Sequence, residues 1–215
     1  MSKKFIAALL LMLSMCSTDA LVRAEPSIVD KPIAWSALRE RLTAEYSLEH
    51  YGEAQTKIAP KAVVVHWTAC ATFQTAFNWF YAEADADGEL NVASHFIVDR
   101  DGTIYRLTAE DALNRHAIGY NHCAIGIENV GGVNGIEDLT AEQLQANVKL
   151  IRYLHSKYPT IEYVFGHYQQ DAARASGLFI ELVPDYYAVK IDPGAKFMHG
   201  LQTQLQNDVL TFFGK

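Results

Sequence analysis

Apolar and polar positions along this chain follow two rhythms. "APKAVVVHWTA" carries a block of β-branched residues, Val63 to Val65, that reads as a buried strand bounded by Pro60. "CAIGIENVGG" and "IEYVFGH" read as further strands, the first ending in Gly131-Gly132. In "NVASHFIVDRDGTIYRL" two β-rich runs flank Asp101-Gly102, the signal of a hairpin with a tight turn. Other segments repeat at helical spacing. Residues 35–50 place Leu38, Leu42, Tyr46 and His50 on one face. "TAEQLQANVKLIRYLHSKY" opens on a capping box, Thr140 with Gln143, and Pro159 lies just past its end. "TFQTAFNWFYAEA" repeats Phe73, Phe77 and Phe80/Tyr81, a packing face. Residues 197–213 predict a C-terminal amphipathic helix with Leu201, Leu205 and Leu210 towards the core, and residues 170–189 a loop-like insert. Strands mixed with helices, including one hairpin, predict a single α/β domain whose central mixed β-sheet is flanked by helices.

The N-terminus breaks this pattern. Lys3 and Lys4 precede an apolar stretch, Phe5 to Met15, that is too short to span a bilayer comfortably. A polar segment follows, which is the layout of a secretory signal peptide. Cleavage after Ala24 fits best, because Val22 and Ala24 are small; Ala20 is a weaker site. Residues 1–24 are therefore expected to be removed, leaving 25–215 as the domain. A second reading of the same stretch is a lipoprotein: "LSMC" resembles a lipobox with Cys16 as the anchor, although Met15 departs from its pattern. The expectation is an exported protein without a transmembrane span, periplasmic or extracellular, with an outer-membrane lipoprotein as the alternative.

Composition agrees with a globular domain: 215 residues, 50% hydrophobic and 20% charged. Losing Lys3, Lys4, Arg23 and Asp19 would move the formal charge from −7 to −9. Such an acidic domain is a poor partner for nucleic acid or an anionic membrane, so its ligand is expected in a specific pocket. A monomer is the expected state. Cys70 and Cys123 remain after export; a disulfide and two free thiols are equally open at this point.

Several predicted strands end in a residue that can do chemistry. His66 ends "VVVH", Glu128 lies near the end of "AIGIE", and His167 ends "YVFGH". Asp192 precedes a turn made by Pro193 and Gly194. Two histidines and a carboxylate can hold Zn²⁺ and leave a fourth position open, which suits hydrolysis at neutral pH. Spacing alone does not choose this set. The plain alternative is that His66 and His167 hydrogen-bond within the core.

The blocks "VVVHWTA", "ASHFIVDRDGTIYRL", "RHAIGYNHCAIGIENVGG", "LTAEQLQANVKLIRYL", "VFGH" and "KIDPG", taken in order, change this weighting. Together they resemble the zinc-dependent N-acetylmuramoyl-L-alanine amidases of type 2, a superfamily that includes amidase-type phage lysozymes and the peptidoglycan-recognition proteins. The resemblance covers about Pro60 to Phe197. It implies a peptidoglycan-recognition-protein-like fold, one Zn²⁺ per chain, and peptidoglycan or muropeptides as substrate. It implies His66, His167 and Asp192 as metal ligands. Some relatives use cysteine as the third ligand, but at the Asp192 position, so Cys70 is a poor substitute. Glu128 matches the acidic residue that activates water; some relatives carry a tyrosine before "HF", where this chain has Ser94. Lys190, two residues before Asp192, matches an oxyanion-stabilising cation. His116 matches a groove-lining, substrate-binding position, and Arg115 and Asn121 are further substrate-binding candidates. His95 and His122 read as structural, and His50, His155 and His199 as helix-surface or packing residues. The insert, rich in aromatics (Phe179, Tyr186, Tyr187), resembles that of a longer-loop subgroup and is expected to wall the groove. The alternative function is a peptidoglycan-binding protein that does not cut; such members generally lack a zinc ligand, whereas all three positions are filled here.

Overall fold

Val63, Val64 and Val65 do form a buried strand, β2 (Ala62–Trp67), at the heart of the domain. The computed structural model describes residues 24–214. The signal peptide and the Cys16 anchor fall almost wholly on residues outside this range. Six further strands complete one sheet: β1 (Ile28–Asp30), β3 (Phe96–Val98), β4 (Ile104–Arg106), β5 (Ala124–Asn129), β6 (Tyr163–Gly166) and β7 (Thr211–Phe212). Their order is β1-β4-β3-β5-β2-β6-β7. Only β3 and β4 pair antiparallel, and they are the predicted hairpin, turning at Gly102 with φ of 85°. The other pairs are parallel, so the sheet is mixed.

Four helices cover it: α1 (Ala37–Tyr51), α2 (Phe73–Tyr81), α3 (Ala141–Lys157) and α4 (Ala195–Gln204). Each start has a physical cause where a polar residue precedes it. Ser36 Oγ accepts from the Leu38 N–H to cap α1, and Thr140 and Gln143 form the predicted reciprocal capping box of α3. Glu137 Oε1, from a loop, accepts from the Phe197 N–H at the start of α4.

Period-two alternation sorts the strand side chains into layers. Val63, Val65, Ile125 and Ile127 face α3 and α4, joining Leu150, Ile151, Leu154, Met198 and Leu201 in one core. Ala62, Val64 and Ala124 face the other way, onto Tyr120, Phe165 and Ala173. Each of the three valines is fully buried, a contribution of about 1.5–3 kcal/mol apiece.

Two elements differ from the sequence expectation. The C-terminal segment is not one helix over 197–213: α4 ends at Gln204, and Thr211–Phe212 pairs with β6 instead. Asp208, held by Arg152, turns the chain, and the Thr211 N–H donates to the Glu162 carbonyl. β1, unanticipated, pairs with β4 at the far edge. The insert contains one 3-10 turn, Ala172–Ser176, and no strand. Cys70 and Cys123 are free thiols. Burial pushes the Cys123 thiol up to about 12.

Candidate active site and metal centre

The register of three adjacent parallel strands builds the site. β2 pairs with β5 so that Ala62, Val64 and His66 lie beside Ala124, Gly126 and Glu128. β2 pairs with β6 so that Val64 lies beside Phe165, and His167 follows Phe165 by two positions. His66, Glu128 and His167 therefore share one face at the C-terminal ends of their strands, where open α/β sheets place ligands. Asp192 arrives from the end of the insert, anchored by its carbonyl, which accepts from the Tyr168 N–H at 2.8 Å.

His66 Nδ1 lies 3.0 Å from His167 Nδ1 and 3.1 Å from Asp192 Oδ2, and His167 Nδ1 lies 3.2 Å from the same oxygen. Their relative exposures are only 2%, 5% and 9%. Among the described residues, this trio is the one cluster of His, Cys, Asp and Glu with metal-ligand spacing. Burial lowers the His167 imidazole to about 4, with His66 adding to the effect against Asp192. Burial alone would raise the Asp192 carboxyl, but hydrogen bonds and charge from His167 and His66 outweigh it and hold the group well below the usual range. Two imidazoles and a carboxylate are the kind of donor set a Zn²⁺ ion takes, binding the rings in their neutral form. The donor separations approach the tetrahedral edge of about 3.3 Å that follows from Zn–N and Zn–O bonds of about 2.0–2.1 Å. The residues fit the ion.

These ligands open into a cavity of about 440 Å³ lined also by Glu128, Lys190, His116 and Arg115. Glu128 Oε2 is buried without a hydrogen-bond partner among the described residues. Burial raises its carboxyl well above the ordinary value; Asp192 adds to this and Lys190 opposes it. It is a proton-holding group in the cavity that the ligand trio lines, and a cation bound there would pull its pKa back down. Lys190 makes no ion pair among the described residues and lines both this cavity and a neighbouring one of about 280 Å³.

His116 and Arg115 also line both cavities. His116 sits behind His66, its Nδ1 3.2 Å from His66 Nε2, and burial beside His66 and His95 keeps its imidazole well below the usual value. Arg115 donates to Asp85, to the Leu90 carbonyl and to the Tyr186 hydroxyl, and its guanidinium lies 5.6 Å from the centre of the Tyr46 ring. Asn121 is buried beneath the site, and its amide is engaged: Oδ1 accepts from the N–H groups of His116 and Ala117, and Nδ2 donates to the Tyr46 hydroxyl.

Trp67, which the sequence leaves open as a groove residue or a cover of the core, lines the cavity and packs on Gly132, where a Cβ would meet its ring at 2.2 Å. Sequence reasoning did not mark its neighbour Trp79. Trp79, 65% exposed, stands at the mouth. His50 is no surface residue: its Nδ1 lies 2.8 Å from Glu181 Oε1, with both side chains buried, tying α1 to the insert. Its partner is 131 positions away; no local pattern announces such a pair. His95 is structural as expected, fully buried between the Ala112 carbonyl and the Gly126 N–H.

The chain resembles known proteins over part of its length. The endolysin of Escherichia phage T7 is 40% identical over 75 residues, 33% of this chain and 50% of that protein. The endolysin of Klebsiella phage KP32 is 37% identical over 75 residues, with the same coverage. The chain spans about half the length of the curated relatives it matches. Among solved structures, the endolysin N-acetylmuramoyl-L-alanine amidase LysCS from Clostridium intestinale superposes with a TM-score of 0.57 at 22% identity, over 85% of this chain and 97% of that one. Bumblebee PGRP-SA superposes with a TM-score of 0.56 at 20% identity, over 88% and 99%. These likenesses show a shared fold. The family model described as N-acetylmuramoyl-L-alanine amidase matches residues 55–194, a span that holds every metal-ligand and proton-transfer candidate from His66 to Asp192. This chain belongs to the N-acetylmuramoyl-L-alanine amidase family.

Proposed function

We propose that the protein is an exported, zinc-dependent hydrolase of peptidoglycan. It cuts the amide between the lactyl group of N-acetylmuramic acid and L-alanine of the stem peptide. The observation that carries this reading is the convergence in one cavity of the His66, His167 and Asp192 donor atoms, 3.0–3.2 Å apart, with Glu128 and Lys190.

A zinc ion held by His66, His167 and Asp192 supplies Lewis acidity towards the scissile carbonyl and the attacking water. Glu128 takes the proton of that water. It then returns the proton to the departing nitrogen of L-alanine, so the amide C–N bond breaks into a carboxylic acid and an amine, and the acid's remaining proton passes to the amine to leave a carboxylate and an ammonium. Lys190 faces the same cavity and stabilises the oxyanion that develops on the carbonyl oxygen. Burial lowers the His167 imidazole and limits water, which strengthens each of these charges. His116 and Arg115 line the groove at its junction, and the insert, with Tyr186 and Tyr187, walls one side. Asn121 contributes by holding the His116 segment. The substrate lies outside the cytoplasmic membrane, so the N-terminal export reading fits; no helix among the described residues is long and apolar enough to cross a membrane.

The test is a digestion of sacculi and of soluble muropeptides, with products read by mass spectrometry, alongside metal analysis. About one zinc per chain and release of intact stem peptides are expected. Full activity of His167→Ala, or activity untouched by a chelator, would overturn the mechanism. Tight binding of muropeptides without release of peptide would favour a binding protein instead.

A further inference from the structure

We propose that His116 is a positioning residue that fixes which nitrogen of His66 is offered to the metal. This inference rests on the metal reading above. The chain of hydrogen bonds begins at a backbone oxygen of β5. The Ala124 carbonyl lies 3.1 Å from His116 Nε2. A carbonyl can only accept, so the proton of this bond sits on His116 Nε2. In the neutral ring, Nδ1 is then left as the acceptor. That atom lies 3.2 Å from His66 Nε2. His66 must therefore carry its own proton on Nε2 and donate it. When the ring binds a metal in its neutral form, the lone pair offered is that of Nδ1, the atom 3.0 Å from His167 Nδ1 and 3.1 Å from Asp192 Oδ2.

Metal-bound histidines normally give their second N–H to an acceptor, which sets the tautomer and the ring orientation. Here the acceptor is a second imidazole whose own polarity is dictated by the sheet. The surroundings hold that imidazole in place. Gly126 leaves room for it: a Cβ there would lie 2.9 Å from the His116 ring. Asn121 Oδ1 grips the backbone on both sides, accepting from the His116 N–H at 2.8 Å and the Ala117 N–H at 2.6 Å. His95 meets the ring nearly edge-on, at 5.8 Å and 79°. A glycine, an asparagine and a carbonyl oxygen thus serve one tautomer.

Two measurements on the whole chain test this. Nitrogen-15 NMR of the imidazole rings in the zinc-loaded protein should find His66 and His116 both protonated on Nε2. An Nδ1–H tautomer at either ring overturns the inference. Zinc affinity, read by competition with a chromophoric chelator, should fall about 10–100-fold in His116→Ala. His116→Asn, whose Oδ1 stands in for the accepting Nδ1, should recover part of that loss. Gly126→Ala, which displaces the ring without removing a polar atom, should also weaken binding. Wild-type zinc affinity in a folded His116→Ala overturns the inference. Should that variant fail to fold, the NMR of the unmutated chain still decides. An unmutated chain that takes up no zinc overturns the metal reading itself, a failure visible before any substitution is made.

Discussion

His95 offers a quantitative check on the packing behind the site. Its ring is fully buried. Nε2–H donates to the Ala112 carbonyl at 2.8 Å, and Nδ1 accepts from the Gly126 N–H at 3.0 Å. A second proton would have to sit on Nδ1, against an N–H that already points at it. Burial lowers the pKa to about 4, with the Ala112 bond and Asp111 partly opposing. In the unfolded chain the ring titrates near 6.5. Between these values the unfolded state binds the proton and the folded state does not, so stability falls as pH falls from about 6.5 to about 4. It is flat above and below that window as far as this group is concerned. Linkage over that gap gives roughly 3 kcal/mol in full, most of it between pH 7.0 and 4.5. The assay is urea unfolding of metal-free protein across that pH range, for the wild type and for His95→Gln. The variant is expected to be less stable at pH 7.0 but to lose roughly 2–3 kcal/mol less on acidification. Most other titrating groups are common to both chains and cancel in the comparison; His116, whose ring lies 5.8 Å from that of His95, is followed alongside by NMR. An unchanged pH slope in His95→Gln would refute the reasoning.

Three further substitutions probe other parts of the site. Glu128→Gln keeps the shape and removes the proton acceptor; turnover should drop by about 10²–10⁴-fold while zinc content is unaltered, and a smaller loss in steady-state kinetics would remove Glu128 from proton transfer. Gly132→Ala places a Cβ 2.2 Å from the Trp67 ring at a φ of +74°, so urea unfolding should show a loss of about 1–3 kcal/mol; wild-type stability would mean that Trp67 moves freely. His50→Ala removes the buried partner of Glu181 and should release the insert, seen as faster proteolytic cutting within residues 170–189 by mass spectrometry; an unchanged cutting rate would show that the pair does not hold it.

Features that repeat locally were readable before the structure. The β-branched block of β2, the Asp101-Gly102 turn and the Thr140/Gln143 capping box each act within a few residues, so their patterns survive in the sequence. His66, Glu128 and His167 each ended an apolar run, which marked them as strand-end groups; that they meet depends on strand register, which only pairing reveals. Edge strands β1 and β7 were not readable because two or three residues pairing through their backbone leave no side-chain rhythm. The break after α4 was hidden for a related reason: Leu205 and Leu210 both continue the helical spacing, but Asp208 bonds Arg152 and the chain turns. His116 matched a groove position by resemblance, yet its tautomer is set by the Ala124 backbone carbonyl and its space by Gly126, and neither contact leaves a side-chain signal in the sequence. Arg115 was legible as a cation near the site and not as the residue that joins Asp85 to Tyr186.

The site draws on two kinds of backbone. His66, Glu128 and His167 belong to the sheet, whose period of two allows no single-residue slip without turning each side chain to the opposite face. Asp192 and Lys190 belong to the end of a long connection whose remaining residues touch no ligand atom. Selection can therefore lengthen, shorten or rewrite the exposed part of residues 170–189 and reshape the groove while the metal position stays fixed, provided Ala173 keeps its place in the core. Insertions within β2, β5 or β6 have no such freedom. The domain separates a rigid chemical origin from an adjustable recognition wall, which makes the wall the natural place to alter substrate choice by design.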